Sequence, residues 1–186
     1  MSFVGCLAAL LTCWVFPTSL RERLRKKVVC GLYGLPVRRR AAKVGLGLRV
    51  KGPTRVNRKT ELGDHFHTNG MTVYGSGRVT VGRYFHSGWN LRVFTRSHDY
   101  NGSEAIPYSG GSYVVRSVEI GDFVWIGADV ILLPGTKIGE GAIIQAGSVV
   151  HGEIPPLAIA GGNPAKVFAQ RDADHFNRLK AEGRFY

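Results

Sequence analysis

Apolar positions in this chain recur every six residues. Ile120, Ile126, Leu132, Ile138, Ile144 and Val150 keep that beat, and Val124, Val130, Thr136, Ala142 and Ser148 follow the first five of them four places later. An earlier stretch repeats it, with Val44, Val50, Val56, Leu62 and Thr68, and Leu48, Thr54, Thr60, Phe66 and Thr72 four places on. An α-helix repeats every ~3.6 residues and a strand every two, so neither alone accounts for six. A parallel β-helix does. Each unit is one short strand plus a corner, and three units close a triangular coil. The aliphatic residue of each unit points into the prism, where equivalent positions stack from coil to coil. One coil cannot bury its apolar face alone and stacked coils can, which is the logic of a solenoid. The 25 glycines among 186 residues suit a fold that turns a corner every few positions.

The coils are expected over residues 44–166. Their register slips near Val79 and Val81, residues 88–117 interrupt them, and the beat ends at Val150, with Pro155-Pro156 closing it. The interruption holds Trp89, His98, Asp99 and the run Tyr108-Ser109-Gly110-Gly111-Ser112. Part of it is a loop standing out from the prism, a usual place for function on a rigid scaffold. Gly161-Gly162-Asn163-Pro164 predicts a turn. Residues 167–186 form a tail with a short helix over 171–182, ended by Gly183.

Residues 1–43 lie outside the beat. The uncharged run at residues 3–16 gives a helix of only ~21 Å, short of a ~30 Å hydrocarbon core, and Pro17 stops it. No basic residue precedes it, so it fits a signal peptide poorly. Ser19-Leu20-Arg21-Glu22 then reads as a capping box, with Ser19 as N-cap. The helix it opens runs from Leu20 to about Tyr33, before Gly34 and Pro36, with Leu20, Leu24, Val28 and Leu32 on one face. Arg21, Arg23, Arg25, Lys26 and Lys27 surround that face. This is the pattern of a basic amphipathic helix at a membrane surface. A helical cap over the open end of the solenoid fits it equally.

Charge sharpens the division. Formal net charge is +12, yet residues 1–60 hold 14 of the 25 basic residues and one acid, Glu22. The coils are therefore close to neutral, and the basic end suits an anionic surface. No recognised binding motif or aromatic interleaving accompanies the charge, so nucleic acid is not expected. Cys6, Cys13 and Cys30 lack paired spacing and are odd in number. Buried thiols in a reducing cytoplasm are the simple reading, with the chain cytoplasmic and peripheral at the inner membrane surface.

The segments VEIGDFVWIGADVILLPG (118–135), IGEGAIIQAGSVV (138–150) and GGNPAKV (161–167) resemble the hexapeptide-repeat acyltransferases. FHTNGM (66–71) and RSHDYN (96–101) point to the maltose/galactoside and colanic-acid acetyltransferase branch, and the likeness covers roughly residues 44–182. The resemblance implies an all-β, left-handed parallel β-helix assembled as a homotrimer, with acetyl-CoA in grooves between subunits. By the same resemblance His98 is the general base and Asn69 the upstream Asn. Trp125 flanks the pantetheine arm, Ala128 and Ala146 offer backbone contacts, and Lys166, helped by Arg171, meets the CoA phosphates. His151-Gly152 stands where the family commonly has Thr-Lys, which shifts cationic contact toward Lys166 and Arg171.

The chemistry agrees with these residue types. Acyl transfer from a thioester needs a base, oxyanion donors, a donor groove and an acceptor site, but no metal. A histidine with pKa near ~6.5 suits the base role. Asn69 suits acceptor orientation or the oxyanion. Asp99 and Glu104 suit orientation of His98 or binding of sugar hydroxyls. His65, His67 and His86 raise a zinc alternative, but their spacing lacks the ligand pattern of the β-helical carbonic anhydrases. His65 and His67, two apart, are expected on one strand face. The expected activity is O-acetylation of a sugar in a cell-surface polysaccharide or its precursor. N-acylation of an amino sugar nucleotide and a non-catalytic glycan-binding solenoid are the alternatives.

Overall fold

The computed structural model describes residues 18–186. The apolar run at 3–16, with Cys6 and Cys13, lies outside the described residues.

Six turns of parallel β-helix form the body. Face A stacks Lys43–Val44, Thr60–Leu62, Val79–Val81, Val118–Ile120, Lys137–Ile138 and Glu153–Ile154. Face B stacks Arg49–Val50, His67–Thr68, His86–Ser87, Trp125–Ile126, Ile143–Ile144 and Ala158–Gly162. Face C stacks Thr54–Arg55, Met71–Tyr74, Leu91–Phe94, Ile131–Leu132 and Val149–Val150. The beat residues line the prism: Val50, Val56, Leu62, Ile120, Ile126, Leu132, Ile138, Ile144 and Val150 are all buried. Each such side chain contributes about 1.5–3 kcal/mol relative to exposure. Polar members of the columns are satisfied. Thr68 and Ser87 join their hydroxyls at 2.8 Å, and Thr136 donates to the Leu133 and Val150 carbonyls.

The register slips earlier than the sequence suggests. Val50 pairs with Thr68, but one strand later Thr54 pairs with Met71, so the corner at Asn69-Gly70 is one residue short. Thr72 consequently pairs with Arg55 and not with the inward position its place in the beat predicts. The tight corner is possible because Gly52 lies beneath it. A Cβ on Gly52 would stand 1.8 Å from the Asn69 carbonyl oxygen.

The interruption is also narrower than 88–117. Leu91–Phe94 remains in the stack between Met71–Tyr74 and Ile131–Leu132. The chain leaves the coil only after Thr95, as a hairpin in which Arg96–His98 pairs antiparallel with Tyr113–Val115. Arg116 N–H donates to the Thr95 carbonyl at 2.9 Å and closes the neck. The coils on either side then pair directly, Val81 against Ile120. The coils continue past Val150, where the beat ends, as the expected range to 166 requires. Ile154 stacks on Ile138 and Ala160 on Ile144, with Pro155-Pro156 as the corner between them.

One corner carries an unusual column. His65, Tyr84, Phe123 and Leu157 adopt left-handed backbone, with φ of 56°, 53°, 58° and 59°. That conformation costs a non-glycine residue roughly 1–2 kcal/mol. Ring stacking along the column offsets it: His65 lies on Tyr84 at 4.6 Å and Tyr84 on Phe123 at 5.3 Å. His65 therefore does not share a strand face with His67, because the corner turns between them.

Helix α1 spans Thr18–Arg40 and runs through Gly34 and Pro36, which the sequence reading takes as its stop. Ser19 lies inside it and is not the N-cap. Docking overrides the local signal. Val37 enters the core at 1% exposure, with Tyr33 packed beside it. Of the expected apolar face, Leu24 and Val28 are partly buried and Leu32 is exposed. The C-terminal half of α1 thus caps the first coil. At the other end, the turn at Gly161–Pro164 joins Ala158–Gly162 to the antiparallel strand Ala165–Gln170. Helix α2, Ala173–Ala181, follows, with the Asp172 side chain accepting from the His175 N–H.

Candidate active site

His98 sits where the hairpin leaves the coil. Its ring lies on Tyr108, centroids 3.8 Å apart and 18° from parallel, and tilts against Tyr113 at 4.7 Å. Ser103 holds the far side of the loop, its hydroxyl accepting the Ser109 N–H and donating to the Ser109 hydroxyl. The imidazole Nδ1 is buried without a hydrogen-bond partner, so Nε2 is the nitrogen that can face a substrate. A cleft of about 320 Å³ opens beside it, lined by Tyr74, Gly75, Phe94, Arg96, Ser97 and Tyr113.

Asp99 does not orient this ring. Its carboxylate accepts the Gly102 N–H at 2.8 Å and shapes a local turn. Glu104 is exposed on the loop. Asn69 occupies the short corner, and its amide donates to the Ser87 carbonyl at 3.2 Å, leaving its second hydrogen available.

The other expected groups lie along face B. Trp125 is 56% exposed and pairs between His86 and Ile143. Ala128 and Ala146 sit at the following corner, where backbone stacks on backbone. A Cβ on Gly127 would stand 2.5 Å from the Ala146 nitrogen. The result is a shelf of main chain, Gly88 against Ala128 and Gly127 against Ala146. Lys166 is exposed on the return strand, opposite Gly161. Arg171 is not free in the same way. It donates to the Gly141 carbonyl at 3.1 Å and its guanidinium covers the Phe176 ring, and burial lowers its pKa. The expected pair of phosphate cations thus reduces to one exposed member.

Sequence reasoning missed what covers Trp125. A cavity of about 460 Å³ lies between it and the tail, lined by His86, Phe123, Arg171, Phe176, Phe185 and Tyr186 among others. Phe185 packs on Tyr84 and Phe123, and the Tyr186 carbonyl oxygen meets His86 Nε2 at 3.1 Å. The aromatic residues of the tail were the available signal. Beside His86 lies His67, 8% exposed, with both ring nitrogens unpartnered. Burial, then Lys51, His86 and Arg49, push its pKa down to about 4. Burial also lowers that of His86. In one chain, the cleft of His98 and the cavity of Trp125 share no lining residue.

Residues 117–152 match the family described as Bacterial transferase hexapeptide (six repeats). A Saccharomyces cerevisiae protein bearing the name "Putative acetyltransferase YJL218W" is 36% identical over 107 residues, 57% of this chain and 53% of its own length. The chain spans about half the length of the curated relatives it matches. Among solved structures, a maltose O-acetyltransferase from Clostridium difficile 630 superposes with a TM-score of 0.67 at 25% identity, over 91% of this chain and 85% of that one. A hexapeptide-repeat-containing acetyltransferase from Vibrio cholerae O1 biovar eltor, complexed with acetyl coenzyme A, superposes at 0.62 and 22% identity, over 91% and 86%. Residues 117–152 carry the transferase hexapeptide repeat, and the fold around them is a parallel β-helix.

Proposed function

We propose that the protein is an acetyl-CoA-dependent O-acetyltransferase acting on a sugar hydroxyl, with His98 as general base. The observation that carries this reading is the setting of His98: its ring is clamped on Tyr108, its Nδ1 is buried, and a cleft opens beside it. His98 Nε2 takes the hydroxyl proton as the oxygen attacks the thioester carbonyl. The carbon–sulfur bond breaks, and the imidazolium returns the proton to the thiolate, leaving an acetyl ester and the CoA thiol. A base so placed is worth on the order of 10²–10⁴ in rate. Asn69 offers its free amide hydrogen to the oxyanion or the acceptor. Trp125 walls the pantetheine arm, Ala128 and Ala146 present backbone along the shelf, and Lys166 meets the phosphates. Arg171 supports that wall from beneath. Glu104, and the backbone turn that Asp99 holds, face the acceptor side.

The separation of the two sets within one chain supports a homotrimer, in which one subunit's His98 hairpin meets another's Trp125 shelf. Val114 and Val115, exposed on the hairpin, suit such a contact. The acceptor belongs to a cell-surface polysaccharide or its precursor. Among the described residues no helix is long and apolar enough to cross a membrane. Leu32, Leu35 and Arg38–Arg40, exposed on α1, suit peripheral contact with an anionic bilayer through the N-terminal segment. Vesicle co-sedimentation of a Leu32→Ser, Leu35→Ser variant tests that contact, and unchanged binding overturns it.

Calorimetric titration with acetyl-CoA tests the activity reading. Saturable binding near one site per chain, weakened in Trp125→Ala, Lys166→Ala, is expected. An acceptor screen against His98→Ala follows. Absence of binding at millimolar acetyl-CoA overturns the reading.

A further inference from the structure

A second hollow adjoins the cleft of His98. It has a volume of about 410 Å³, shares Tyr74, Gly75 and Arg96 with that cleft, and adds Arg40, Arg55 and Asn57. Three structural elements supply its arginines: Arg40 ends α1, Arg55 lies on face C and Arg96 begins the hairpin. All three are exposed, and the ion pairs among the described residues include none of them. No Asp or Glu lines either hollow. The floor is fixed, because the Asn57 amide donates to the Gly75 carbonyl at 3.0 Å and to the Gly77 carbonyl at 2.8 Å. Tyr74 stacks on Phe94 at 4.7 Å and forms an aromatic wall between the two hollows. The Arg55 guanidinium lies 5.9 Å from the Tyr74 centroid, and that of Arg96 lies 4.3 Å from the Tyr113 centroid. These rings hold the guanidinium planes without neutralising them.

We propose that this hollow is a subsite for an anionic group of the acceptor, a phosphoryl or carboxylate substituent on the sugar that His98 serves. The inference rests on the transferase reading above and deepens it by naming the acceptor's charge. Guanidinium groups recognise planar or tetrahedral oxyanions through paired N–H donors. Three of them around one hollow, with no acid near, repel one another until an anion enters. A neutral sugar gives no reason for that arrangement. The aromatic wall gives the sugar ring a surface on the way to His98.

Titration of the full-length protein with glucose 1-phosphate, glucuronic acid and glucose, each with and without saturating acetyl-CoA, tests the proposal. At least one charged sugar is expected to bind ten-fold or more tightly than glucose, and whichever does so identifies the phosphoryl or the carboxylate source. Arg55→Gln, Arg96→Gln is expected to lose that preference ten-fold or more. Arg78→Gln, whose parent residue pairs with Glu61 outside the hollow, is expected to keep it. Unchanged melting temperatures show that the variants fold. Equal binding of charged and neutral sugars overturns the proposal while acetyl-CoA binding leaves the transferase reading standing. Displacement of the charged sugar by acetyl-CoA, with the same arginine variants weakening both, assigns the hollow to the donor and also overturns it. Failure of acetyl-CoA itself to bind overturns the underlying reading.

Discussion

His98 and Tyr108 stack ring on ring, 3.8 Å between centroids, although ten positions separate them and the tip of the loop lies between. The loop is therefore folded back on its own base, and the stack orients the imidazole in place of a carboxylate. His98→Ala is expected to lower kcat by about 10²–10⁴ with acetyl-CoA affinity unchanged. Tyr108→Ala, which frees the ring without removing it, is expected to lower kcat less, and Tyr108→Phe to restore it. Steady-state kinetics on the three variants decides this, and a Tyr108→Ala enzyme with wild-type kcat argues against the positioning role.

The separate linings of the His98 cleft and the Trp125 cavity lead to a mixing experiment. His98→Ala and Trp125→Ala chains, each nearly inactive alone, are expected to regain part of the activity when unfolded together and refolded. In the proposed trimer, some interfaces of the mixed assemblies then carry both intact residues. Assay of the mixture against each parent at equal total concentration reads this. No recovery places both residues of one working site in the same chain.

His67 makes stability depend on pH. Its folded pKa of about 4 lies below the ordinary value near 6.5, so the unfolded chain binds the proton more readily. The neutral ring's contribution is complete above pH 6.5 and is lost as pH falls toward 4, with a slope of at most about 1.4 kcal/mol per pH unit. Thermal melts from pH 7.5 to 4 are expected to show a falling midpoint that is shallower in His67→Asn. Parallel curves for the two proteins contradict the assignment.

Gly52 tests the short corner. In Gly52→Ala the new methyl meets the Asn69 carbonyl, so the corner must shift or the coil must open. A loss of roughly 2 kcal/mol or more is expected from such overpacking. Chemical denaturation measures it, and activity is expected to fall further than stability alone explains if Asn69 takes part in the reaction.

Much of this architecture was legible because six-residue periodicity survives wherever one strand and one corner repeat. Ile120 through Val150 needed no tertiary information. The failures have physical causes. Thr72 kept the beat by number, but the shortened corner at Asn69-Gly70 moved it to face outward. Gly34 and Pro36 are real helix-ending signals, and burial of Val37 outweighs them. Trp125 and His98 were singled out by the motifs that surround them. Beyond its aromatic content the tail over Trp125 was not, because packing of Phe185 on Tyr84 and Phe123 joins residues about a hundred and about sixty positions apart and carries no periodic signature. Arg171 illustrates the same limit: the resemblance gave it a phosphate contact, and its bond to Gly141 and its place over Phe176 could not be read from the sequence.

The closed neck between Thr95 and Arg116 uncouples the excursion from the coils that flank it. Because Val81 stacks directly on Ile120, the scaffold registers no trace of how many residues the excursion contains. Doubling the length of a flexible loop adds only about 0.6 kcal/mol of closure cost. The excursion can therefore lengthen, shorten or be exchanged while the prism keeps its stability. A change in the loop that carries His98 is thereby kept from being felt as a change in the coils that carry the fold.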